Sequence, residues 1–298
     1  MQKKIKRRLF LTAGVSVLGV AASGCGASVY SYDIEPAWIE INTLSLHLSR
    51  LDPHFDNYRI VQLSDIHSDL MWMDKPRLEH IVQLVNDQQP DIVAITGDFI
   101  SGIVNDKKLA ALTPLRSLRA RDGVFAVLGN HDHWAEPWGE PVRIRRLLQD
   151  CGIHELNDRV HTLQRAGSML HFVGLDDLWP DSDYIPPIWS HRDRLTRIVE
   201  GLPSAGTVIL LVHEPDFADI AASVGRVDLQ LSGHTHGGQV RIPFYGALRL
   251  PPLGQRYPSG LYRSGSMLHY TNRGVGMVSP LVRFNCRPEI TVFACHPA

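Results

Sequence analysis

A chain of 298 residues is long enough for one large domain or two small ones, and its core needs no disulfide staples. Its 30 basic and 31 acidic residues give a formal net charge of −1, which excludes bulk electrostatic binding to nucleic acid. The apolar, charged and glycine fractions are those of an ordinary globular protein.

The N-terminus breaks the even mixture of charge. Lys3, Lys4, Lys6, Arg7 and Arg8 precede an uncharged, largely apolar run from Leu9 to Ala22, and small residues follow. A basic head, an apolar middle and a small-residue exit are the layout of a bacterial export signal. Arg7-Arg8-Leu9-Phe10-Leu11 resembles the twin-arginine form of such a signal. The run is shorter than the roughly 20 residues of a membrane span. Residues 1–27 are therefore expected to be a removable leader that takes the protein across the inner membrane, to the periplasm or cell envelope. Ala22 to Cys25 resembles a lipoprotein processing box. Cys25 is either lipidated, giving membrane association through the N-terminus, or discarded with the leader. Cys151, Cys286 and Cys295 show no paired framework and are expected to be buried free thiols.

Residues 28–57 read as a tether and an outer strand, with partial alternation from Ile39 to Leu51. From residue 58 to 298 the pattern is that of a single catalytic domain. Tyr58 to Asp65 is a short apolar run, as in a strand covered on both faces. Pro76 opens a helix with apolar residues at 78, 81, 82, 84 and 85. A second buried strand ends at Asp98, a weaker helix containing Pro114 follows, and a third strand ends at Asn130. A helix stopped by Gly152 comes next, then a strand from Ser168. Residues 177–190 are rich in proline and aromatics, without periodicity, and read as a loop. A helix from His191 leads to strands ending at His213 and His234, and short strands occupy the remainder.

Five apolar strands thus end in Asp65, Asp98, Asn130, His213 and His234. In open α/β sheets, ligands bind beyond the carboxyl ends of the strands. Asp65 and His67 form D-x-H; along an extended strand end, residues i and i+2 point the same way, so both can hold one ion. A carboxylate such as Asp98 can bridge two cations, Asn130 offers an amide oxygen, and His213, His234 and His236 supply imidazoles. This mixed nitrogen and oxygen set has no thiolate, which suits Mn, Fe or Zn rather than a closed structural zinc site. It is too large for one tetrahedral ion and suits two divalent metal ions. Such a pair can clamp a phosphate for in-line hydrolysis.

In order along the chain stand Asp65-Ile66-His67, Gly97-Asp98, Gly129-Asn130-His131-Asp132, His213, and Gly233-His234-Thr235-His236. This ordered set resembles the signature of the calcineurin-like metallophosphoesterases over roughly residues 58–240. The stretches 233–239 and 283–290 are similar to a branch of small exported bacterial phosphoesterases, the YkuE-like and YaeI-like enzymes. The resemblance implies a two-sheet β-sandwich flanked by helices, an α/β layered fold with a dimetal centre at the strand ends. It implies that Asp65, His67 and His236 hold one metal, that Asn130, His213 and His234 hold the other, and that Asp98 bridges. A metal-bound hydroxide would attack, and His131, binding no metal, would protonate or stabilise the leaving oxygen. The implied activity is a phosphodiesterase. The alternative is a pyrophosphatase or phosphoesterase acting on a lipid-linked substrate, like UDP-2,3-diacylglucosamine hydrolases, although an exported location fits that substrate poorly.

The chain departs from the protein phosphatase branch at Ser101, where that branch has an aspartate, so Asp132 and Asp69 are the candidates for orienting His131. The remaining histidines, His133 among them, read as structural or solvated. The loop at 177–190 reads as packed on the body, with Trp179, Tyr184 and Trp189 lining a cleft as the alternative. Arg241, Arg249 and Arg256 read as solvated, with phosphate binding as the alternative. A metallo-β-lactamase-like enzyme would need H-x-H-x-D-H, which is missing. A non-catalytic envelope binding module would be expected to have lost a ligand or His131, and none is missing.

Overall fold

The computed structural model describes residues 26, 28–136 and 141–298. The export leader read over 1–27, with its processing site at Cys25, lies outside the described residues apart from Gly26. Among the described residues no helix is long and apolar enough to cross a membrane. Cys151, Cys286 and Cys295 are buried free thiols.

Along the chain run β1 (Glu40–Leu48), β2 (Tyr58–Leu63), β3 (Ile92–Thr96), β4 (Val124–Val127), β5 (His154–Glu155), β6 (Arg159–Arg165) and β7 (Ser168–Gly174). After them come β8 (Thr207–Leu211), β9 (Leu229–Ser232), β10 (Arg241–Ile242), β11 (Gly246–Ala247), β12 (Gly260–Ser264), β13 (Met267–Thr271) and β14 (Glu289–Pro297). One six-stranded sheet has the order β1-β14-β2-β3-β4-β5 and the other β12-β13-β9-β8-β7-β6; β10 and β11 form a separate hairpin. In the first, β2 to β5 are parallel, while β14 runs antiparallel to β2 and parallel to β1. In the second, β7, β8, β9 and β13 are parallel, with antiparallel β6 and β12 at the edges.

The strands are apolar on both faces because both faces are covered. Ile60, Ile92, Phe125, Phe172, Ile209, Leu229 and Leu231 fill the space between the sheets. Their neighbours in sequence, Val61 and Val93, turn outward against the Lys75–Asp87 helix, as Val208 and Leu210 do against the helices Arg192–Glu200 and Ala218–Val224. The layers are helix, sheet, sheet, helix: the expected two-sheet sandwich flanked by helices. The Lys75–Asp87 helix starts where the Asp74 side chain accepts from Arg77 N at 3.0 Å, and it buries Leu78, Ile81, Val82 and Val85 at helical spacing.

Several elements differ from the sequence expectation. The weak helix around Pro114 splits into Asp106–Ala111 and a 3₁₀ turn, Thr113–Ser117, with the proline in its first turn. The third strand stops at Val127, and Asn130 opens a short helix, Asn130–Trp134. The β6 strand and the Ala218–Val224 helix have no counterpart in the sequence reading, and among the short strands it expects after Gln239 β14 is nine residues long and lies inside the first sheet.

The inter-sheet core sets the spacing of the two sheets. Phe172 is fully buried there, with its ring 5.5 Å from that of Phe125. Phe172→Ala is expected to lower the unfolding free energy by about 3–5 kcal/mol in urea denaturation. Leu261→Ala on the exposed side of edge strand β12 should change it by less than about 0.5 kcal/mol.

Candidate metal centre

Asp65, Asp98, His213 and His234 each stand two residues beyond the last residue of β2, β3, β8 and β9, and Asn130 three beyond β4. All five strands point their carboxyl ends at one rim. The backbone there is not extended. Asp65, His67, Asp98, His234 and His236 have φ of +51°, +48°, +58°, +72° and +51°, in the left-handed region that residues other than glycine rarely adopt. Asp65 and His67 therefore converge through two left-handed turns, not through strand alternation. Left-handed backbone of this kind costs about 1–3 kcal/mol per residue and clusters at functional sites.

The structure brings all the sequence-derived ligand candidates together. Ligand atoms of Asp65, His67, Asp98 and His236 lie within 4.8 Å of one another, and all four residues are buried. Asp98 Oδ2 is 3.3 Å from His67 Nε2 and 3.2 Å from His213 Nε2. Asp65 Oδ1 is 3.3 Å from His236 Nε2, which faces His67 Nε2 at 3.0 Å. The His213 and His234 rings meet edge to face with centroids 4.9 Å apart. Asn130 lines the same cleft as Asp98, His234 and His236.

Backbone partners set the tautomers. His213 Nδ1 is 2.7 Å from the Thr96 carbonyl oxygen, and His234 Nε2 is 2.8 Å from that of Pro252. A carbonyl only accepts, so these ring nitrogens carry the protons, and His213 Nε2 and His234 Nδ1 present lone pairs. Ser101 Oγ, at the departure noted in the sequence, lies 3.0 Å from His67 Nδ1 and can accept from it. The His213 Nε2 lone pair and Asp98 Oδ2 are then two acceptors face to face. Asn130 Oδ1 is buried with no hydrogen-bond partner among the described residues. Divalent cations satisfy this donor set, and its mixture of imidazole, carboxylate and amide fits them.

The charge balance makes the same demand. Burial works against charge on Asp98, yet His213, His131 and His67 hold its carboxyl well below the usual range. Burial likewise opposes charge on His213, and Asp98 pulls its proton affinity well above the ordinary value. A proton or a cation on Nε2 meets that need.

Asp132, one of the two candidates for orienting His131, has a different supporting role. Its buried carboxylate accepts backbone N–H bonds from Asp98, Phe99, Ile100 and Gly129 at 3.0, 2.8, 3.3 and 3.0 Å. It does not reach the His131 ring, and Asp69 caps the N–H groups of Met71, Trp72 and Met73. Neither of the two sequence candidates orients His131. Its backbone N–H donates to Asp98 Oδ1 at 2.9 Å, and its ring lies between His67 and Trp134, at 4.8 and 5.0 Å. Burial, with the neighbouring imidazoles His67, His236 and His213, pushes His131 down to about 4, against Asp98, so the ring is neutral. His133 instead pairs with Asp176 at 2.9 Å, as a structural histidine.

A cleft of about 350 Å³ opens over these residues. Trp134 and Trp179 form one wall, edge to face at 4.8 Å, and Leu250, Pro251, Pro252, Val278 and Pro280 also line it. Trp179 thus lines the cleft, while Tyr184 and Trp189 are exposed at 59% and 70% and do not. Arg249 is at the rim. Arg241 donates to the Gly237 carbonyl and Arg256 pairs with Asp219.

A family model described as calcineurin-like phosphoesterase matches residues 58–238. The chain is 38% identical over 296 residues to the uncharacterized metallophosphoesterase YkuE of Bacillus subtilis strain 168, covering 98% of both chains. It is 30% identical over 290 residues to phosphodiesterase YaeI of Escherichia coli K12, covering 97% of this chain and 98% of that one. Among solved structures, sulfate thiohydrolase SoxB of Thermus thermophilus matches with a TM-score of 0.51 at 15% identity, over 76% of this chain and 53% of that one, a likeness of fold.

The rim tolerates no added atoms where β9 meets β2. A Cβ at Gly233 would stand 1.8 Å from Ser64 Oγ and 2.4 Å from Asp65 Oδ2. Gly233→Ala is expected to destabilise the fold by about 1–3 kcal/mol through overpacking. Gly201→Ala, whose Cβ would meet nothing closer than 3.5 Å, should stay within about 0.5 kcal/mol in the same denaturation experiment.

Proposed function

The chain belongs to the calcineurin-like phosphoesterases, metal-dependent hydrolases of phosphate esters, and we propose that it is a phosphodiesterase working with two divalent cations. The observation that carries this reading is Asp98 Oδ2, equidistant within 0.1 Å from His67 Nε2 (3.3 Å) and His213 Nε2 (3.2 Å). It stands between two donor groups. Asp65, His67 and His236 would hold one cation, Asn130, His213 and His234 the other, and Asp98 would serve both. Bound there, such a pair supplies positive charge to a phosphate and makes water more acidic at neutral pH.

The chain's own residues do the rest. His131, neutral and lining the cleft, keeps its ring proton and donates a hydrogen bond from its ring N–H to the charge that develops on the leaving oxygen. The bond from its backbone N–H to Asp98 Oδ1 fixes its distance from the ligand cluster. Walls of tryptophan on one side and of leucine, proline and valine elsewhere leave apolar contact for an organic group on each arm of the phosphate. That favours a diester, and the relative named phosphodiesterase YaeI supports it. Arg249 is exposed on the rim, and no hydrogen bond or ion pair of its guanidinium is found among the described residues. It suits a second anionic group on the substrate.

Chelation should abolish hydrolysis of bis-p-nitrophenyl phosphate, and Mn²⁺ should restore it. His234→Ala should lose both activity and bound metal. His131→Ala should lower kcat by about 10²–10⁴-fold with the metal content unchanged by elemental analysis; a matching loss of metal would refute its assigned role. Arg249→Ala should raise KM by about 10–100-fold for a diester bearing a second anionic group. It should leave KM for bis-p-nitrophenyl phosphate unaltered, and an equal effect on both substrates would remove Arg249 from substrate recognition.

A further inference from the structure

The β10–β11 hairpin has no part in the hydrolytic reading. Its strands pair Arg241 with Ala247 and Ile242 with Gly246, and Pro243, Phe244 and Tyr245 make the tip. The tip carries its apolar side chains into solvent. Phe244 is wholly exposed at 111%, Tyr245 at 75%, Leu248 at 56% and Ile242 at 44%. Phe244 also takes a φ of +68°, strained for an aromatic residue.

The base is firmly fixed. Leu248 N donates to Val240 O at 3.1 Å and Arg241 N to Phe284 O at 2.9 Å. The Gln239 side chain bonds the backbone of Val278 and Pro280. Both stems line the cleft: Gly238 and Gln239 lead into the hairpin, and Arg249 and Leu250 lead out of it. Whatever the tip enters is brought to the mouth of the cleft.

Two further observations say what that is. From residue 229 to 288 the chain has no aspartate or glutamate; of its seven arginines Arg283 is buried and Arg256 and Arg273 pair with Asp219 and Glu289, while Arg241 and Arg249 stand at the feet of the hairpin. The point where the described chain begins is on the same side. The Tyr30 ring packs on Phe284 at 6.2 Å, Arg283 N donates to Ser31 O at 3.0 Å, and Phe284 bridges to Val240 in the hairpin stem. Val29, Tyr32 and Ile34 are exposed there at 52%, 52% and 48%. The basic head and apolar run of residues 3–22 precede this entry point.

The geometry points to the hairpin as a membrane-docking finger. It inserts Phe244, Tyr245 and Leu248 into the interfacial zone of an anionic phospholipid bilayer, with Arg241 and Arg249 against lipid phosphates. Aromatic and aliphatic side chains carried between arginines are the composition of an interfacial anchor. A second protein copy fits less well, since a stable protein interface takes about 20–30 residues a side and the tip offers a handful. The docked orientation turns the cleft toward the lipid headgroups. This goes beyond the hydrolytic reading and does not depend on it.

The test uses the full chain with Cys25→Ser, so that the remaining native cysteines are buried. A nitrobenzoxadiazole dye is attached at Phe244→Cys or, as control, at Ser204→Cys, which is exposed in the loop entering β8, at the opposite end of that strand from His213. Vesicles of phosphatidylglycerol and phosphatidylethanolamine should shift the emission to the blue at 244 and not at 204, and brominated lipid should quench the dye at 244 alone. Arg241→Gln with Arg249→Gln should weaken the shift. The proposal is overturned if the dye at 244 keeps its aqueous emission while the protein floats with the vesicles. It is also overturned if the shift appears without vesicles as protein concentration rises, which would assign the tip to a second copy. No outcome depends on activity, so loss of the phosphodiesterase reading would leave this result standing, and the reverse.

Discussion

The site depends on one buried carboxylate, that of Asp132, which does not line the cleft. Where β3 and β4 end, their ladder ends too, and the N–H groups of Asp98, Phe99, Ile100 and Gly129 would be left without partners in a dry interior. Asp132 takes all four. In return Asp98 accepts from the backbone N–H of His131, one residue before Asp132. The two turns therefore hold each other: the bond to Asp98, which its histidine neighbours keep charged, is charge-assisted and stronger than a neutral one, while burial and the nearby Asp98 push the Asp132 carboxyl up to about 7. The consequence is positional: the Asp98 carboxylate is held between His67 and His213.

A comparable tie joins the two sheets. The backbone N–H of His234, from the second sheet, donates to both oxygens of Asp65, from the first, at 3.0 and 3.1 Å. Beneath it Gln62 reaches from β2 to the Ser232 carbonyl at 3.0 Å. Gly233 has no side chain because Ser64 and Asp65 occupy that space. The left-handed residues at the rim are unfavourable singly. They persist because each is fixed by several bonds at once, and because the sandwich core below supplies the stability that the rim gives up. Two buried carboxylates whose ion-pair partners among the described residues are histidines alone are costly without compensating charge. A divalent metal centre would compensate them, which is the physical sense of putting this donor set in a dry place.

Much of this was legible in the sequence, for physical reasons. Strands covered on both faces must be apolar throughout, so β2, β3, β4, β8 and β9 stand out, and a polar residue just past each marks the rim. The ligand candidates were therefore found from residue type and order. What the sequence reading missed is backbone. The oxygens that orient His213 and His234 belong to Thr96 and Pro252 as carbonyls, and any residue supplies a carbonyl. The convergence of Asp65 and His67 was ascribed to alternation, whereas left-handed turns bring it about, and φ is not written in residue type outside glycine. Asp132 was one of two candidates for orienting His131, whereas its side chain meets the backbone N–H groups of Asp98, Phe99, Ile100 and Gly129. The place of β14 between β1 and β2 depends on pairing across more than two hundred residues, which no local pattern encodes.

The fold also separates the parts that do chemistry from the parts that choose what enters. The ligand candidates stand at strand ends and share the rigidity of two six-stranded sheets. The cleft walls do not: Trp179, Pro251, Pro252 and the 278–280 segment stand on loops, and Arg249 follows the hairpin. Loops can change length and composition without moving a strand. The same ligand cluster can thus serve different phosphate esters according to the loops around it, and the hydrolytic chemistry follows from the sheets while the choice of ester follows from the walls. In this chain the walls are apolar and aromatic with one cationic rim residue, and the loop that supplies that residue also carries the exposed finger. On the roles proposed for Arg249 and the hairpin, recognition of the anion and approach to the surface that bears it would be properties of a single short segment, rooted in the turn that presents His234 and His236.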